Sequence, residues 1–282
     1  TGLFDDMDIG GWISFSNANI PSALTPVWPW ADEGGAYMAQ NIQYVSPVIA
    51  GFDFGVSFAP NNDGPYDGSG CSAGYGGVGC ASQSSSTFAS DYSTRYRNEV
   101  DFAVRYRNTV GPVGFAVSGI YLTSGTVNNA AGAATQHYNG LNLGDVGATI
   151  QFNKQIEVGG NILWGDVNNN WGLQPVGGAD AFAWVTGVKY TIAALPATIG
   201  AYYFNYKYQG AGPAAGLGQR TSQGLDVGAV YGLGPGVVLI AEYAWGQVYQ
   251  GGYNFLTATA TGGSVGNKVN ANVATLGMSV RF

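Results

Sequence analysis

Two groups of residues in this chain could do chemistry. Arg95, Arg97, Arg105 and Arg107 supply four of the ten Lys and Arg residues. Glu99 and Asp101 stand between them at the same two-residue spacing. The second group is Asp5, Asp6 and Asp8, a compact acidic cluster. Neither group suits bond-making. The one histidine, His137, lies beside Gln136 and Tyr138 in a Gly/Ala-rich stretch, where a loop imidazole is usually solvated rather than a catalytic base. No Cys/His spacing fits zinc, and no phosphate-cradling Gly loop precedes a helix. What remains is the action of clustered fixed charge on ions and water. The alternative is a wall-stiffening ionic network and a solvated acidic loop.

Smaller signals accompany these. Cys71 and Cys80 sit in a Gly/Ser-rich stretch. A disulfide there would restrain the loop by about 2–3 kcal/mol and implies an oxidising compartment; two free thiols are the alternative. Oxygens of Asn61, Asn62, Asp63 and Asp67 could ligate calcium, although such residues usually just make turns. No other cofactor is implied. Trp12, Trp28 and Trp30 suit either a slide for sugar rings or an anchor for a loop.

The elements that position the arginines are strands. Val100, Phe102 and Val104 alternate with Glu99, Asp101, Ala103 and Arg105. Phe52, Phe54, Val56 and Phe58 alternate with Asp53, Gly55, Ser57 and Ala59. Val146, Ala148, Ile150 and Phe152 repeat the pattern. Neighbouring strand residues point to opposite faces, so each segment has one apolar and one polar or small face. The four arginines share parity, which predicts one face of one strand. Eleven strands are predicted, near 36–46, 52–59, 95–108, 113–123, 141–152, 156–166, 182–192, 198–208, 223–231, 237–248 and 268–282.

The links alternate without exception. Short turns near 47–51, 109–112, 153–155, 193–197 and 232–236 are interleaved with long links near 60–94, 124–140, 167–181, 209–222 and 249–267. A soluble sandwich has no reason to lengthen every second link, whereas a barrel crossing a membrane does. Tyr44, Tyr106, Tyr121, Trp164, Tyr190, Tyr231, Tyr243 and Trp245 fall near strand ends, where membrane interfaces favour aromatic rings.

Composition agrees. Charged residues are 10% of the 282 positions and Gly numbers 46, yet mean hydropathy is only +0.04. No apolar run reaches the roughly 18 residues of a membrane helix. A net charge of −7 disfavours nucleic acid as a partner, because phosphate binding needs excess cations. An arginine on a lipid face costs roughly 2–4 kcal/mol near the midplane. The arginines are therefore expected on the watery side with Glu99 and Asp101. Lys189, Lys207, Glu157, Glu242 and Arg281 are expected there too.

The last segment, Leu276-Gly277-Met278-Ser279-Val280-Arg281-Phe282, resembles the C-terminal signal of bacterial outer-membrane barrels. The opening Thr1-Gly2-Leu3-Phe4-Asp5-Asp6-Met7-Asp8 resembles the third loop of alphaproteobacterial general porins. The chain as a whole is similar to that family from this loop onward. The resemblance implies an all-β, antiparallel, up-and-down transmembrane barrel of sixteen strands, about eleven of them in this chain. Residues 1–35 would be an inward-folded constriction loop and residues 36–282 the strands. The implied function is passive diffusion of small hydrophilic solutes and ions through the Gram-negative outer membrane, without catalysis. A carbohydrate-selective channel and a plugged structural or adhesive barrel are alternatives. The implied partners are outer-membrane lipid, small polar solutes and two further copies in a homotrimer. At the constriction, Asp5, Asp6 and Asp8 would face wall bases. About five preceding strands are expected, unless residues 9–16 close a twelve-stranded barrel.

Overall fold

The computed structural model describes residues 41–61, 96–126, 139–168, 174–210 and 217–280. Eleven strands form one antiparallel sheet in which each lies beside the next in the chain. They are β1 (Ile42–Val45), β2 (Phe52–Asn61), β3 (Tyr96–Val110), β4 (Val113–Thr126), β5 (Asn142–Phe152), β6 (Ile156–Asp166), β7 (Ala181–Ile192), β8 (Ala197–Tyr208), β9 (Arg220–Gly234), β10 (Val237–Gln250) and β13 (Lys268–Val280). A small hairpin of β11 (Tyr253–Asn254) and β12 (Thr259–Ala260) interrupts the last long link. Among the described residues there is no helix, and β1 and β13 are the two edges of the main sheet.

The predicted elements match closely. β6 has the expected bounds, and β3, β4 and β10 run two or three residues further than their alternation suggested. β1 runs Ile42–Val45, and residues 36–40 of the expected strand, like residues 9–16, lie outside the described residues. The hairpin of β11 and β12 was not anticipated. Turn chemistry fixes the short ends. Asn153 and Lys154 both have positive φ, 50° and 58°, the mirror-image turn whose twist suits adjacent strands. Gly51 (φ 88°) could carry no side chain, since a Cβ there would lie 2.5 Å from the Arg107 carbonyl oxygen.

The two faces of the sheet are inverted relative to a water-soluble protein. Phe52, Phe54, Val56, Phe58, Val100, Phe102, Val104, Val146, Ile150, Ile162 and Val188 are exposed. Asp53, Ser57, Glu99, Ser118, Asp145, Thr149, Asp226 and Glu242 are buried on the opposite face. Such a surface is stable only where the outer face meets hydrocarbon. Tyr44, Tyr190 and Tyr231 stand outward near the short-turn end, and Tyr121 and Trp164 near the long-link end. They make the two aromatic girdles that flank an apolar band.

At the long-link end of β5 and β8 the polarity reverses. Leu122, Leu141, Leu143, Leu163, Val167, Ala181, Ala183, Tyr206 and Tyr208 form a buried cluster on the inner face. Their outward neighbours include Asn142, Asn205 and Lys207. The links are stitched over this cluster by amide side chains. Asn168 donates to the Gly210 carbonyl at 3.0 Å and accepts from its N–H at 2.7 Å. Gln209 accepts from Ala179 N–H at 2.9 Å. Gln250 donates to the carbonyls of Gln209 and Gly218 at 3.1 and 2.9 Å.

Candidate functional site

The charged side chains of the inner face fall into two zones. The first lies toward the short-turn end. Asp53 on β2 is directly opposite Arg105 on β3. Arg105 donates from Nε to Oδ1 at 3.1 Å and from Nη2 to Oδ2 at 2.8 Å, the fork geometry that makes Arg–carboxylate pairs strong. Arg107 shares Oδ2 at 3.0 Å. Its side chain is 41% exposed against 12% for Arg105, so Arg107 projects further from the wall. One carboxylate thus serves two guanidinium groups.

A second ionic group lies on β5, β6 and β7. Gln151, Glu157 and Lys189 occupy one register row. Gln151 donates to Glu157 Oε2 at 3.1 Å, and Lys189 Nζ lies 3.3 Å from the same oxygen. Between the two groups is an open recess of 470 Å³, lined by Arg107, Thr109, Gly114, Ala116, Thr149, Gln151, Glu157 and Lys189 among others. Small residues form its floor. A Cβ on Gly114 would find nothing nearer than 3.8 Å. The five charged groups leave one net positive charge around a water-accessible hollow.

The other zone is acidic and lies further along the strands. Ser57 donates to Asp101 Oδ2 at 2.6 Å. Asn161 donates to Asp145 Oδ2 at 3.0 Å. Glu99 is buried opposite Ala59. Asp226 and Glu242 lie close together on β9 and β10. Beyond them at the long-link mouth is Arg220. It donates from Nε to Gln250 Oε1 at 2.9 Å and lies 5.0 Å from the ring centres of both Tyr253 and Phe255. That geometry supports cation–π attraction.

The predicted site residues divide accordingly. Arg105, Arg107, Glu99 and Asp101 are on the inner face. Arg97 belongs to β3, opposite Asn61. Asn98 has φ 51° and the register with β4 slips between Arg97 and Val100, while the register with β2 runs unbroken from Arg105 to Arg97. Asp5, Asp6, Asp8, Arg95, Cys71, Cys80 and His137 lie outside the described residues, as do Asn62, Asp63, Asp67, Trp12, Trp28, Trp30 and Arg281. Lys189 and Glu157 are inward, but Lys207 corrects the expectation. It is exposed on the outer face, paired in register with outward Phe182, because β8 has left the apolar band there. Asp53 was missed as a site residue. The argument applied to the arginines, a charge flanked by Phe52 and Phe54, would have found it.

Several solved structures are similar to this chain. An anion-selective porin from Comamonas acidovorans is 14% identical, with a TM-score of 0.47, over 86% of this chain and 59% of that one. OmpT of Vibrio cholerae is 12% identical, with a TM-score of 0.47, over 99% and 73%. A mutant of Rh. blastica porin is 17% identical, with a TM-score of 0.41, over 89% and 58%. The chain therefore spans about three-fifths of the length of the Comamonas porin. No curated protein matches the sequence. The model of the Gram-negative porin family matches residues 1–251, and with strands that turn apolar side chains outward and charges inward, this chain belongs to the porins of the Gram-negative outer membrane.

Proposed function

We propose that the chain forms most of the wall of a water-filled channel through which small hydrophilic solutes and ions diffuse passively. The observation that carries this reading is the inverted sheet. Its outer face suits lipid, while its inner face holds Asp53, Arg105, Arg107, Glu157 and Lys189 around an open hollow. Arg107, the most exposed of these groups, faces the hollow where water and solutes would pass. The sheet edges at β1 and β13 need further strands, since unpaired backbone cannot face hydrocarbon. About five additional strands complete a sixteen-stranded barrel in this reading, and three barrels associate as a homotrimer.

Selection is electrostatic. The arginines of β3 form the basic side of the narrowest passage, and Asp5, Asp6 and Asp8 supply its acidic side from an inward-folded loop. The resulting transverse field orders water and favours polar solutes over apolar ones. No step makes or breaks a bond.

Planar-bilayer recording tests the reading. The full-length protein is expected to give ohmic single-channel steps that need no energy source. Arg105→Gln combined with Arg107→Gln is expected to move the reversal potential in a salt gradient toward cation preference by about twofold in permeability ratio. A silent protein would favour a plugged barrel. Saturable current block by an added sugar would favour a carbohydrate-selective one.

A further inference from the structure

The recess near the short turns keeps its donors and its acceptors apart. Two register rows of the inner face line it. Arg107, Ala116 and Thr149 lie opposite one another on β3, β4 and β5. Thr109, Gly114, Gln151, Glu157 and Lys189 make the next row, from β3 to β7. Gly114 and Ala116 set the floor back between Arg107 on one side and Gln151 with Glu157 on the other.

The β3 side is cationic. One carboxylate there serves two guanidinium groups, and Arg107 is the one that projects into the hollow. Hydrogen bonding gives the β5 and β6 side the opposite character. Gln151 Nε2 and Lys189 Nζ both go to a single oxygen, Glu157 Oε2. That bond turns the other end of the Gln151 amide toward the floor, where Oε1 lies 3.9 Å from the place a Gly114 Cβ would take. Gln151 Oε1 and Glu157 Oε1 have no hydrogen-bond partner among the described residues. Two acceptor oxygens, one of them on a carboxylate, thus stand across the hollow from a guanidinium.

A simple anion would suit only the first side and a simple cation only the second. The volume of 470 Å³ falls within the roughly 300–1,000 Å³ of small-ligand sites. Three strand spacings, about 14 Å, separate Arg107 from Glu157 at the backbone. Their side chains take up part of that gap. The remainder suits the two ends of a short peptide, in which each residue spans at most about 3.6 Å.

We propose that this recess holds a short zwitterionic peptide, its carboxylate on Arg107 and its ammonium between Gln151 Oε1 and Glu157 Oε1, resting on the channel reading for the peptide's access to the hollow. An ammonium has three donors and no acceptor, which matches two facing oxygens. The hydroxyls of Thr109 and Thr149 line the same hollow and meet the peptide group between the two ends. Lys189 acts as a positioning residue. By holding Oε2 it leaves Oε1 for the solute.

Saturation-transfer NMR on the full-length protein in detergent tests this, with alanylalanine as the probe. The comparison probes are its N-acetyl form, which lacks the ammonium, its C-terminal amide, which lacks the carboxylate, and succinate, which has two carboxylates and no ammonium. Alanylalanine is expected to bind about tenfold more tightly than either singly charged form, the factor for one charge-assisted hydrogen bond. E157Q and R107Q are each expected to weaken alanylalanine binding by about the same factor, and Q151L to weaken it less. The probe comparison needs no variant, so a variant that fails to fold leaves the test intact. Equal binding of alanylalanine and either singly charged form would overturn the proposal. Tighter binding of succinate would overturn it in favour of a plain anion site. Ohmic bilayer steps without alanylalanine binding would overturn it and leave the channel reading standing. Alanylalanine binding by a protein that is silent in bilayers would support the site and remove the channel reading.

Discussion

The wall behaves differently at its two ends. Toward the short turns, apolar side chains face out and charges face in, as with Phe52 and Phe54 around Asp53, or Ile156 and Val158 around Glu157. Toward the long links the order reverses on β5 and β8. Leu143, Tyr206 and Tyr208 face in and are buried, while Asn142, Asn205 and Lys207 face out. One fold carries both patterns because the solvent outside changes along its height. Within the bilayer the outer face must be apolar. Beyond it, hydrocarbon no longer dictates the outer face, and the inner face can pack dry against the links. The short-turn end is therefore built to remain wet and charged, and the long-link end to hold loops in place.

This contrast can be broken in order of expected effect. Leu163→Ala removes a fully buried side chain from the inner cluster and should cost about 2–5 kcal/mol. Denaturant unfolding in lipid should read that loss, and backbone exchange should rise at residues 174–180 and 209–210, which lie over the cluster. Val104→Arg puts a charge in the apolar band and should cost about 2–4 kcal/mol; Lys207→Arg, on the outer face beyond the band, should be near neutral in the same assay. Asp53→Asn leaves Arg105 and Arg107 without their shared carboxylate. It should cost about 1–3 kcal/mol and shift the reversal potential toward anions, because the wall gains one net positive charge. Glu157→Gln is the mildest change. Its pair with Lys189 is partly exposed and such pairs contribute about 0–1 kcal/mol, so stability should barely move while anion preference increases slightly.

Much of this architecture was legible in the sequence where hydrocarbon imposes a strict two-residue period. β6 was located residue for residue, and the alternation of short and long links gave the direction of every strand. Legibility ended where that constraint ended. In Tyr202-Tyr203-Phe204-Asn205-Tyr206-Lys207-Tyr208 aromatics occupy both parities. The inward set is Tyr202, Phe204, Tyr206 and Tyr208, so Lys207 was assigned to the wrong face. The bulge at Asn98, where the register with β4 slips, has no marker in the alternation. The partnership of Asp53 with Arg105 spans two strands joined by a long link. Only the register between β2 and β3 brings them together. The clamp of Tyr253 and Phe255 on Arg220 depends on a link folding back over β9, which local pattern does not encode.

Collision accessibility of single nitroxide labels tests the central claim most directly. Labels placed one at a time from Val100 to Arg107, in protein reconstituted into lipid vesicles, are relaxed by oxygen in hydrocarbon and by a nickel chelate in water. The two responses should alternate out of phase, with oxygen dominant at Val100, Phe102, Val104 and Tyr106 and nickel dominant at Asp101, Ala103, Arg105 and Arg107. Responses that rise and fall together, or uniform protection from both reagents, would contradict a wall between lipid and a water-filled lumen.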